Sequence, residues 1–154
     1  ELEQKGILKA LITQNVDGLH PRAGSNNVLP VHGDLWDVKC TQCSYKGRLS
    51  EPATAIPLCP KCGSNLRPDV VWFGEQLDVN VMQQVYEELN SADGILVIGT
   101  SSVVQPAASF PIVVVKRGGW IIEINIEETP LTSLVALHLN GPSGEILPAI
   151  VNHL

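Results

Sequence analysis

The amino-acid sequence predicts an α/β fold: a mainly parallel sheet with helices on both faces, and a small inserted module that holds a metal. Three observations lead to this prediction. Short apolar runs alternate with amphipathic or proline-initiated segments along most of the chain, which is the pattern of strands joined by crossover helices. Polar residues follow several of these runs directly, as they do where open α/β sheets bind ligands. All four cysteines lie within residues 40–62.

Two buried strands are predicted in the first 33 residues. Residues 7–13 form a mostly apolar run rich in branched side chains, and residues 28–31 form a shorter one. Such runs are typical of strands that are buried on both faces of a parallel sheet. Each run is followed by a polar group, at 14–18 and at 32–33. We therefore expect both groups to lie at the carboxyl edge of the sheet.

The second half of the chain predicts further strands and helices. Apolar residues spaced for one helical face predict a helix over 78–89. Pro106 suits the first turn of a helix that runs toward Lys116, and Pro111 must begin, kink or divide that helix. The remaining predicted elements are strands at 94–99, 120–125 and 135–139, a turn at 141–144 and a short helix at 145–154.

Composition and charge narrow the class of protein. With 44% apolar and 17% charged residues, the sequence is typical of a globular protein. Its longest apolar runs fall far short of the roughly 20 residues of a membrane span, and we recognise no signal peptide. A net charge of −6 argues against a nucleic-acid partner, because phosphate binding needs clustered basic side chains. We expect small ligands or protein tails as partners, and no membrane.

The cysteines form two C-x-x-C pairs. Cys40 with Cys43, and Cys59 with Cys62, leave 15 residues between the pairs, which is the spacing at which two tight turns bind one tetrahedral zinc ion. Four thiolates fill the coordination sphere, so the predicted zinc is structural rather than catalytic. The alternative is two disulfides or redox pairs. A zinc site implies reduced thiols and therefore a reducing intracellular compartment, expected to be the cytoplasm.

The polar groups after the strands each allow more than one interpretation. The segment 13–20 combines two amides, a carboxylate and an imidazole, which suits either ligand binding or an Asx turn that caps a helix. His32 suits either a structural hydrogen bond or a general base, since an imidazole titrates near neutral pH. Residues 99–101 precede Pro106 and could face an anion at a helix N-terminus. Residues 125–127 could hold a ribose, or form an N-cap or turn.

Taken together and in order, these motifs resemble the sirtuin family of NAD-dependent protein deacylases. The matching segments are TQNVDGLH (13–20), VHGDL (31–35), the two cysteine pairs, LRPDVVWFGE (66–75), VIGTSSVVQPAASFP (97–111) and IIEINIEETP (121–130). The resemblance spans nearly the whole chain. The family's N-terminal phosphate-binding segment has no counterpart here, and the chain begins at Glu1 rather than Met. We therefore expect the sequence to be part of a longer enzyme.

The resemblance implies a Rossmann-like NAD-binding domain formed by residues 1–33 and 70–154, and a zinc-binding small domain at 34–69. NAD would lie in the crevice between them. The positions that match the family's NAD contacts fall into four groups, around the nicotinamide ribose, at a strand end, at the adenosine ribose and at the adenine. In that order they are Gln14, Asn15, Val16 and Asp17; Gly99, Thr100 and Ser101; Asn125, Ile126 and Glu127; and Ser143. We expect the other three histidines to be structural or surface residues: His20, His138 and His153.

The resemblance also implies the substrate and the chemistry. The loop Val71, Trp72, Phe73, Gly74 and Glu75 matches the loop whose backbone pairs with the substrate peptide as an added strand. A buried aromatic cluster is the alternative there. His32 matches the general base that acts on a ribose hydroxyl. The family removes acyl groups from protein lysines and releases nicotinamide and O-acyl-ADP-ribose.

Two other functions share these features. A non-catalytic module could use the groove near Trp72 and the zinc ribbon to hold protein tails, and it predicts peptide binding that does not depend on NAD. Protein ADP-ribosylation would use the same NAD site and differ in its products.

Overall fold

The computed structural model describes all residues, Glu1–Leu154, in two compact units. The first unit is Lys9–Gln84, and the second combines Glu1–Leu8 with Val85–Leu154. None of the helices combines the length and apolar character that crossing a membrane would need. The domain boundaries predicted from the sequence stay a prediction.

A short parallel pair of strands begins the first unit. Strand β1 (Leu11–Thr13) pairs in parallel with strand β2 (Val28–Pro30), and the connection between them contains the short helix α1 (Leu19–Arg22). Strand β1 is shorter than the predicted run of residues 7–13. The reason is local, because the amides of Ile7 and Leu8 both donate to the carbonyl of Leu2 in a turn.

The rest of the first unit contains a three-stranded antiparallel sheet. Its strands are β3 (Gly33–Cys40), β4 (Lys46–Arg48) and β5 (Leu66–Val70), in the order β4-β3-β5. A small core of Val38, Cys59 and Leu66 lies beside it. Strand β3 can begin only with glycine, since Gly33 has φ +81° and a Cβ there would lie 2.0 Å from the carbonyl oxygen of Asp69.

The second unit is built on a parallel sheet. Its strands are β6 (Gly94–Ile98), β7 (Trp120–Asn125) and β8 (Leu137–Asn140), in that order across the sheet. Helix α3 (Phe110–Lys116) packs on β6 and β7, and helix α4 (Ser143–Val151) packs against β7. Helix α2 (Val79–Ser91) begins in the first unit and buries Val85 and Leu89.

The structure corrects several predicted boundaries in this half. A 3-10 turn, Ala107–Ser109, separates Pro106 from α3, and Pro111 lies in the first turn of α3, where its missing N–H costs no intrahelical hydrogen bond. Pro111 therefore begins the helix and does not kink it. Helix α4 starts at Ser143, so the predicted turn at 141–144 overlaps its first residues.

Candidate active site and metal centre

The four cysteines converge as the spacing predicts. Their Sγ atoms all lie within 4.8 Å of one another, with Cys40 3.5 Å from Cys62 and Cys43 3.7 Å from Cys59. A tetrahedral zinc ion with Zn–S bonds of about 2.3 Å puts its sulfurs about 3.8 Å apart. A disulfide needs about 2.05 Å, and all four thiols are free. The disulfide alternative is therefore wrong for this structure.

Tight backbone turns present these thiols. Cys40 donates its amide to the carbonyl of Tyr45, and Cys59 donates to that of Ser64. Hydrogen bonds from the backbone and hydroxyl of Ser64 lower the pKa of Cys62 to about 6. The backbone amide of Tyr45 also lowers the pKa of Cys43, but desolvation and the other three thiols outweigh it and raise that pKa to about 12.

Four sulfur atoms within 4.8 Å of one another would repel strongly if all were thiolates, so full ionisation of the set calls for a cation between them. The set of four sulfur donors therefore fits Zn²⁺, which would draw them all into the thiolate form. No position would remain open for water, so the metal would hold the two turns together rather than take part in chemistry.

The loop after β1 is held by local hydrogen bonds. Asp17 accepts the amide of Leu19 at 3.0 Å, which is the Asx turn that the sequence allowed. The backbone carbonyl of Asp17 accepts the indole N–H of Trp36 at 3.1 Å. Gly18 has φ +68°, and a Cβ there would lie 2.8 Å from the Trp36 ring. One carboxylate oxygen of Asp17 thus has a structural partner, while Asn15 is exposed.

His32 follows β2 and its ring nitrogen Nδ1 lies 3.3 Å from the backbone carbonyl of Gln14. A carbonyl only accepts, so this contact is a hydrogen bond when Nδ1 carries a proton. In the neutral imidazole that arrangement leaves the lone pair on Nε2, the nitrogen through which a base would act. The backbone carbonyl of His32 accepts the amide of Val71 at 2.9 Å.

A cavity of about 370 Å³ lies in the first unit beside this loop. Two of the predicted cofactor residues, Asn15 and Asp17, line it. His32 does not line it. The other lining residues are Thr13, Gly18, His20, Pro21, Val28, Pro30, Gly33, Asp34, Asp37 and Arg48.

The predicted peptide loop, residues 71–75, closes on itself. The carboxylate of Glu75 accepts the amide of Trp72 at 3.1 Å, and the amide of Glu75 donates to the carbonyl of Trp72 at 2.9 Å. The side chain of Phe73 is fully exposed and that of Trp72 is more than half exposed. The alternative of a buried aromatic cluster is therefore wrong.

In the second unit, hydrogen bonds tie the strand ends together. Asn125, the last residue of β7, donates its side-chain amide to the carbonyl of Thr100 at 2.8 Å. Its own carbonyl accepts the amide of Gly141 at 2.9 Å. The residues after β6, β7 and β8 thus lie at one edge of this sheet. Residues 99–101 are not at a helix N-terminus, because the 3-10 turn begins only at Ala107.

The model of the Sir2 family matches residues 1–106. This chain belongs to the Sir2 family. Similar relatives include NAD-dependent protein deacylase 1 of Archaeoglobus fulgidus, which is 53% identical over 156 residues that cover 100% of this chain and 64% of the relative. The NAD-dependent protein deacylase of Pyrococcus furiosus is 48% identical over 161 residues, again 100% of this chain and 64% of the relative. The chain therefore spans less than two thirds of these relatives.

Solved structures agree with the family assignment. A complex of a Sir2 homologue with NAD has a TM-score of 0.93 and 52% identity, and covers 99% of this chain and 60% of that one. A Sir2 complex with a p53 peptide and NAD⁺ has a TM-score of 0.89 and 34% identity, and covers 99% of this chain and 65% of that one. The predicted α/β fold with a Rossmann-like parallel sheet is confirmed by these matches.

Within this Sir2 chain, the structure brings some predicted site residues together inside each unit. In the first unit, Gln14 contacts His32 and His32 contacts Val71. In the second unit, Thr100 and Asn125 are joined by a hydrogen bond. Ser143 is the first residue of α4.

A buried cluster around Glu123 of this Sir2 chain lies outside the sites predicted from the sequence. Glu123 lies on β7 with its side chain wholly buried. Its carboxylate accepts the hydroxyls of Thr129 and Thr132 and lies 2.9 Å from Nδ1 of His138. Burial alone would raise the pKa of Glu123, but these three hydrogen bonds outweigh it and hold the pKa below its usual value. His138 is thus a structural residue with a buried partner.

One sequence signal could have found this cluster. Glu123 interrupts the otherwise apolar run of residues 120–124 in β7, and a charge in a buried strand requires a partner nearby. The partners themselves come from residues 129–138, after the strand has ended, so only the fold could identify them.

Proposed function

We propose that this chain is the larger part of an NAD-dependent protein-lysine deacylase. The observation that carries the proposal is the chain of contacts through His32, whose ring is bonded to Gln14 and whose backbone is bonded to Val71. His32 thereby joins a motif that matches the family's nicotinamide-side contacts to the loop that matches its peptide site. The names of the relatives, which are NAD-dependent protein deacylases, support the same activity.

NAD, the proposed co-substrate, supplies a ribose whose bond to nicotinamide can be broken when an acyl oxygen attacks. His32 would act through Nε2 as the base that takes a proton from a ribose hydroxyl, with its Nδ1–H held by Gln14. By the resemblance to the family, the residues proposed to contact NAD are Gln14, Asn15, Val16, Asp17, Gly99, Thr100, Ser101, Asn125, Ile126, Glu127 and Ser143. One water would be consumed when the lysine amine leaves the former acyl carbon, and the products would be nicotinamide, free lysine and O-acyl-ADP-ribose.

The proposed substrate is an acyl-lysine in an extended peptide. Loop 71–75 continues from β5 and exposes two aromatic side chains, which suits backbone pairing with a strand whose sequence varies. A solved Sir2 structure similar to this chain is described as bound to a propionylated peptide.

The remaining predictions complete the proposal. We propose that the chain divides into a zinc-binding small domain, residues 34–69, and an NAD-binding domain, residues 1–33 and 70–154. The antiparallel sheet β3-β4-β5 and the four clustered thiols support a structural zinc in that segment. We place the protein in a reducing compartment, the cytoplasm, because the site needs free thiols.

Nicotinamide release tests the proposed function. The chain, carrying the upstream segment that its relatives have, would be given NAD and peptides with acetyl-, succinyl- or longer acyl-lysine. We expect nicotinamide to appear only with an acylated peptide, together with free lysine and O-acyl-ADP-ribose by mass spectrometry. Transfer of ADP-ribose to the peptide would indicate ADP-ribosylation instead.

The exposed Trp72 and Phe73 also favour a second candidate, a peptide-binding module without catalysis. It predicts that acylated and unmodified peptides bind equally well with or without NAD. Peptide titrations in the presence and absence of NAD separate the two proposals.

A further inference from the structure

We propose that Arg67 and Glu75 are positioning residues that hold loop 71–75 in the conformation that accepts an acyl-lysine peptide. The inference rests on the proposed function, and it concerns one side chain beside the loop and one at its end, neither of which is assigned to the reacting atoms. Arg67 is on strand β5, and Glu75 closes the loop four residues after Val71.

The Arg67 guanidinium contacts the loop at two points and the residue before it at a third. Its Cζ lies 4.2 Å from the centroid of the Trp72 ring, which is a favourable cation–π distance. One nitrogen donates to the carbonyl of Val70 at 3.3 Å, just before the loop, and another forms an ion pair with Glu75 at its end. A single planar group therefore joins both ends of the loop and stacks on its middle.

Glu75 makes the opposite half of this arrangement, which we call the Arg67–Glu75 clasp. Its first carboxylate oxygen accepts from Arg67, and its second accepts the backbone amide of Trp72 at 3.1 Å. The hydrogen bond from the Trp72 amide, and after it the positive charge of Arg67, keep the pKa of Glu75 below its usual value. Lys39 adds a second cation, 4.0 Å from Glu75 and 2.9 Å from Asp69.

The consequence of the clasp is visible at Phe73. Its side chain is fully exposed at the tip of the loop, next to Gly74 with φ +88°. An apolar ring in water is unfavourable, so an unrestrained five-residue loop would tend to fold over it. The clasp joins the two ends of the loop and so keeps Phe73 at the exposed tip. There it stays available to an incoming acyl-lysine side chain.

The chemistry requires an arginine at this position. Only a planar guanidinium can stack on an aromatic ring and donate in two directions at once, whereas an ammonium acts as a point charge. Arg67→Lys should therefore keep part of the ion pair and lose the stacking. Arg67→Ala and Glu75→Ala should each remove the clasp.

Two measurements on the full chain test the inference. The first is ¹⁹F NMR of protein labelled with 5-fluorotryptophan, in which the three tryptophans give separate signals and Trp72→Phe assigns one of them. The second is titration of a fluorescein-labelled peptide with a central acetyl-lysine, in the presence of NAD. Arg117→Met is the matched control, because Arg117 is an exposed arginine in the other unit.

We expect Arg67→Ala and Glu75→Ala to move the Trp72 signal and leave those of Trp36 and Trp120 in place. The peptide Kd should rise about tenfold, because apparent affinity falls with the fraction of loops in the competent conformation. Arg67→Lys should give an intermediate Kd, and the double variant should be no weaker than the weaker single one, since both changes break one clasp. Arg117→Met should change neither measurement.

A peptide Kd for Arg67→Ala within twofold of the unmodified chain would overturn the inference, whatever the Trp72 signal does. If that variant loses all three signals by unfolding, Arg67→Lys and Glu75→Gln decide on the same terms. An unmodified chain that binds no acetyl-lysine peptide even when it carries the upstream segment of its relatives would instead overturn the proposed function, and the inference with it. The two failures are therefore distinguishable.

Discussion

The backbone carbonyl of His32 accepts a hydrogen bond from the amide of Val71 at 2.9 Å. The bond extends the pairing of β3 with β5, in which Gly33 lies opposite Val70. The candidate base and the first residue of the candidate peptide loop are therefore fixed to each other through the main chain. A change of side chain at position 32 should remove chemistry without moving the loop.

His32→Ala should lower the rate of NAD-dependent deacylation by about 10²- to 10⁴-fold, which is the usual contribution of a general base. Zinc content and the peptide Kd should stay unchanged, because the backbone bond to Val71 does not involve the imidazole. Nicotinamide release, metal analysis and peptide titration would be compared with the unmodified chain. Turnover within threefold of the unmodified chain would refute the role of His32.

Cys59→Ser should lose zinc and folded structure together. Cys59 is buried among Val38 and Leu66 as well as being a predicted ligand, and binding energy at a structural zinc site is folding energy. Zinc content and the circular dichroism melting curve would be measured. Ser44→Ala is the control, because Ser44 is an exposed neighbour of Cys43. A zinc-free Cys59→Ser protein with an unchanged Tm would contradict the prediction.

Gly33→Ala should destabilise the chain by roughly 3 kcal/mol, the upper range for a residue forced into an unfavourable backbone conformation. Gly33 has φ +81°, and the added Cβ would also collide with the carbonyl of Asp69. Gly144→Ala is the matched control, since nothing lies within 4 Å of a Cβ there and alanine favours a helix. Urea unfolding of both variants would test this prediction. Equal unfolding midpoints for the two variants would contradict it and would mean that the backbone of β5 moves away at Asp69 at little cost in stability.

Glu123→Gln should cost roughly 3 kcal/mol, because it leaves a half-buried histidine and two hydroxyls without their ionised acceptor. The hydrogen bonds from Thr129, Thr132 and His138 hold the folded pKa of Glu123 below its usual value. Glu128→Gln, at an exposed position, is the control. Urea unfolding at neutral pH measures the difference.

The same carboxylate predicts a pH dependence. A lowered folded pKa means that the stabilisation is present above the unfolded value of about 4.3 and is lost as the pH falls through the folded value. The stability difference between the unmodified chain and Glu123→Gln should therefore shrink below about pH 4. A difference that stays constant from pH 7 to pH 3 would argue against an ionised Glu123.

Much of the site could be predicted from short motifs. The cysteine spacing required two turns facing one point, and the structure brings the four thiols within 4.8 Å. The Asx turn at Asp17 and the strand over 120–125 were likewise local consequences of residue type. Local spacing suffices to predict these features because each either joins residues a few positions apart or has the spacing of a known metal-ligand pattern.

Other features depended on residues that are distant in sequence. The 78–89 pattern predicted a helix. By contrast, the ion pair between Arg67 and Glu75 and the contact of His32 Nδ1 with the carbonyl of Gln14 could be seen only in the folded chain. The predicted strand at 7–13 was mostly wrong at its start, because a turn at Leu2 captures the amides of Ile7 and Leu8. Apolar composition alone does not say which backbone partners are within reach.

The sequence by itself determined the class of fold, the family and the grouping of the four cysteines, since strand periodicity, ordered motifs and cysteine spacing are properties of the chain before it folds. Only the tertiary structure decided that Phe73 is exposed, that Nδ1 of His32 faces the carbonyl of Gln14 and which groups surround Glu123. Those depend on hydrogen bonds and burial between segments, and such contacts exist only once distant strands have been brought side by side.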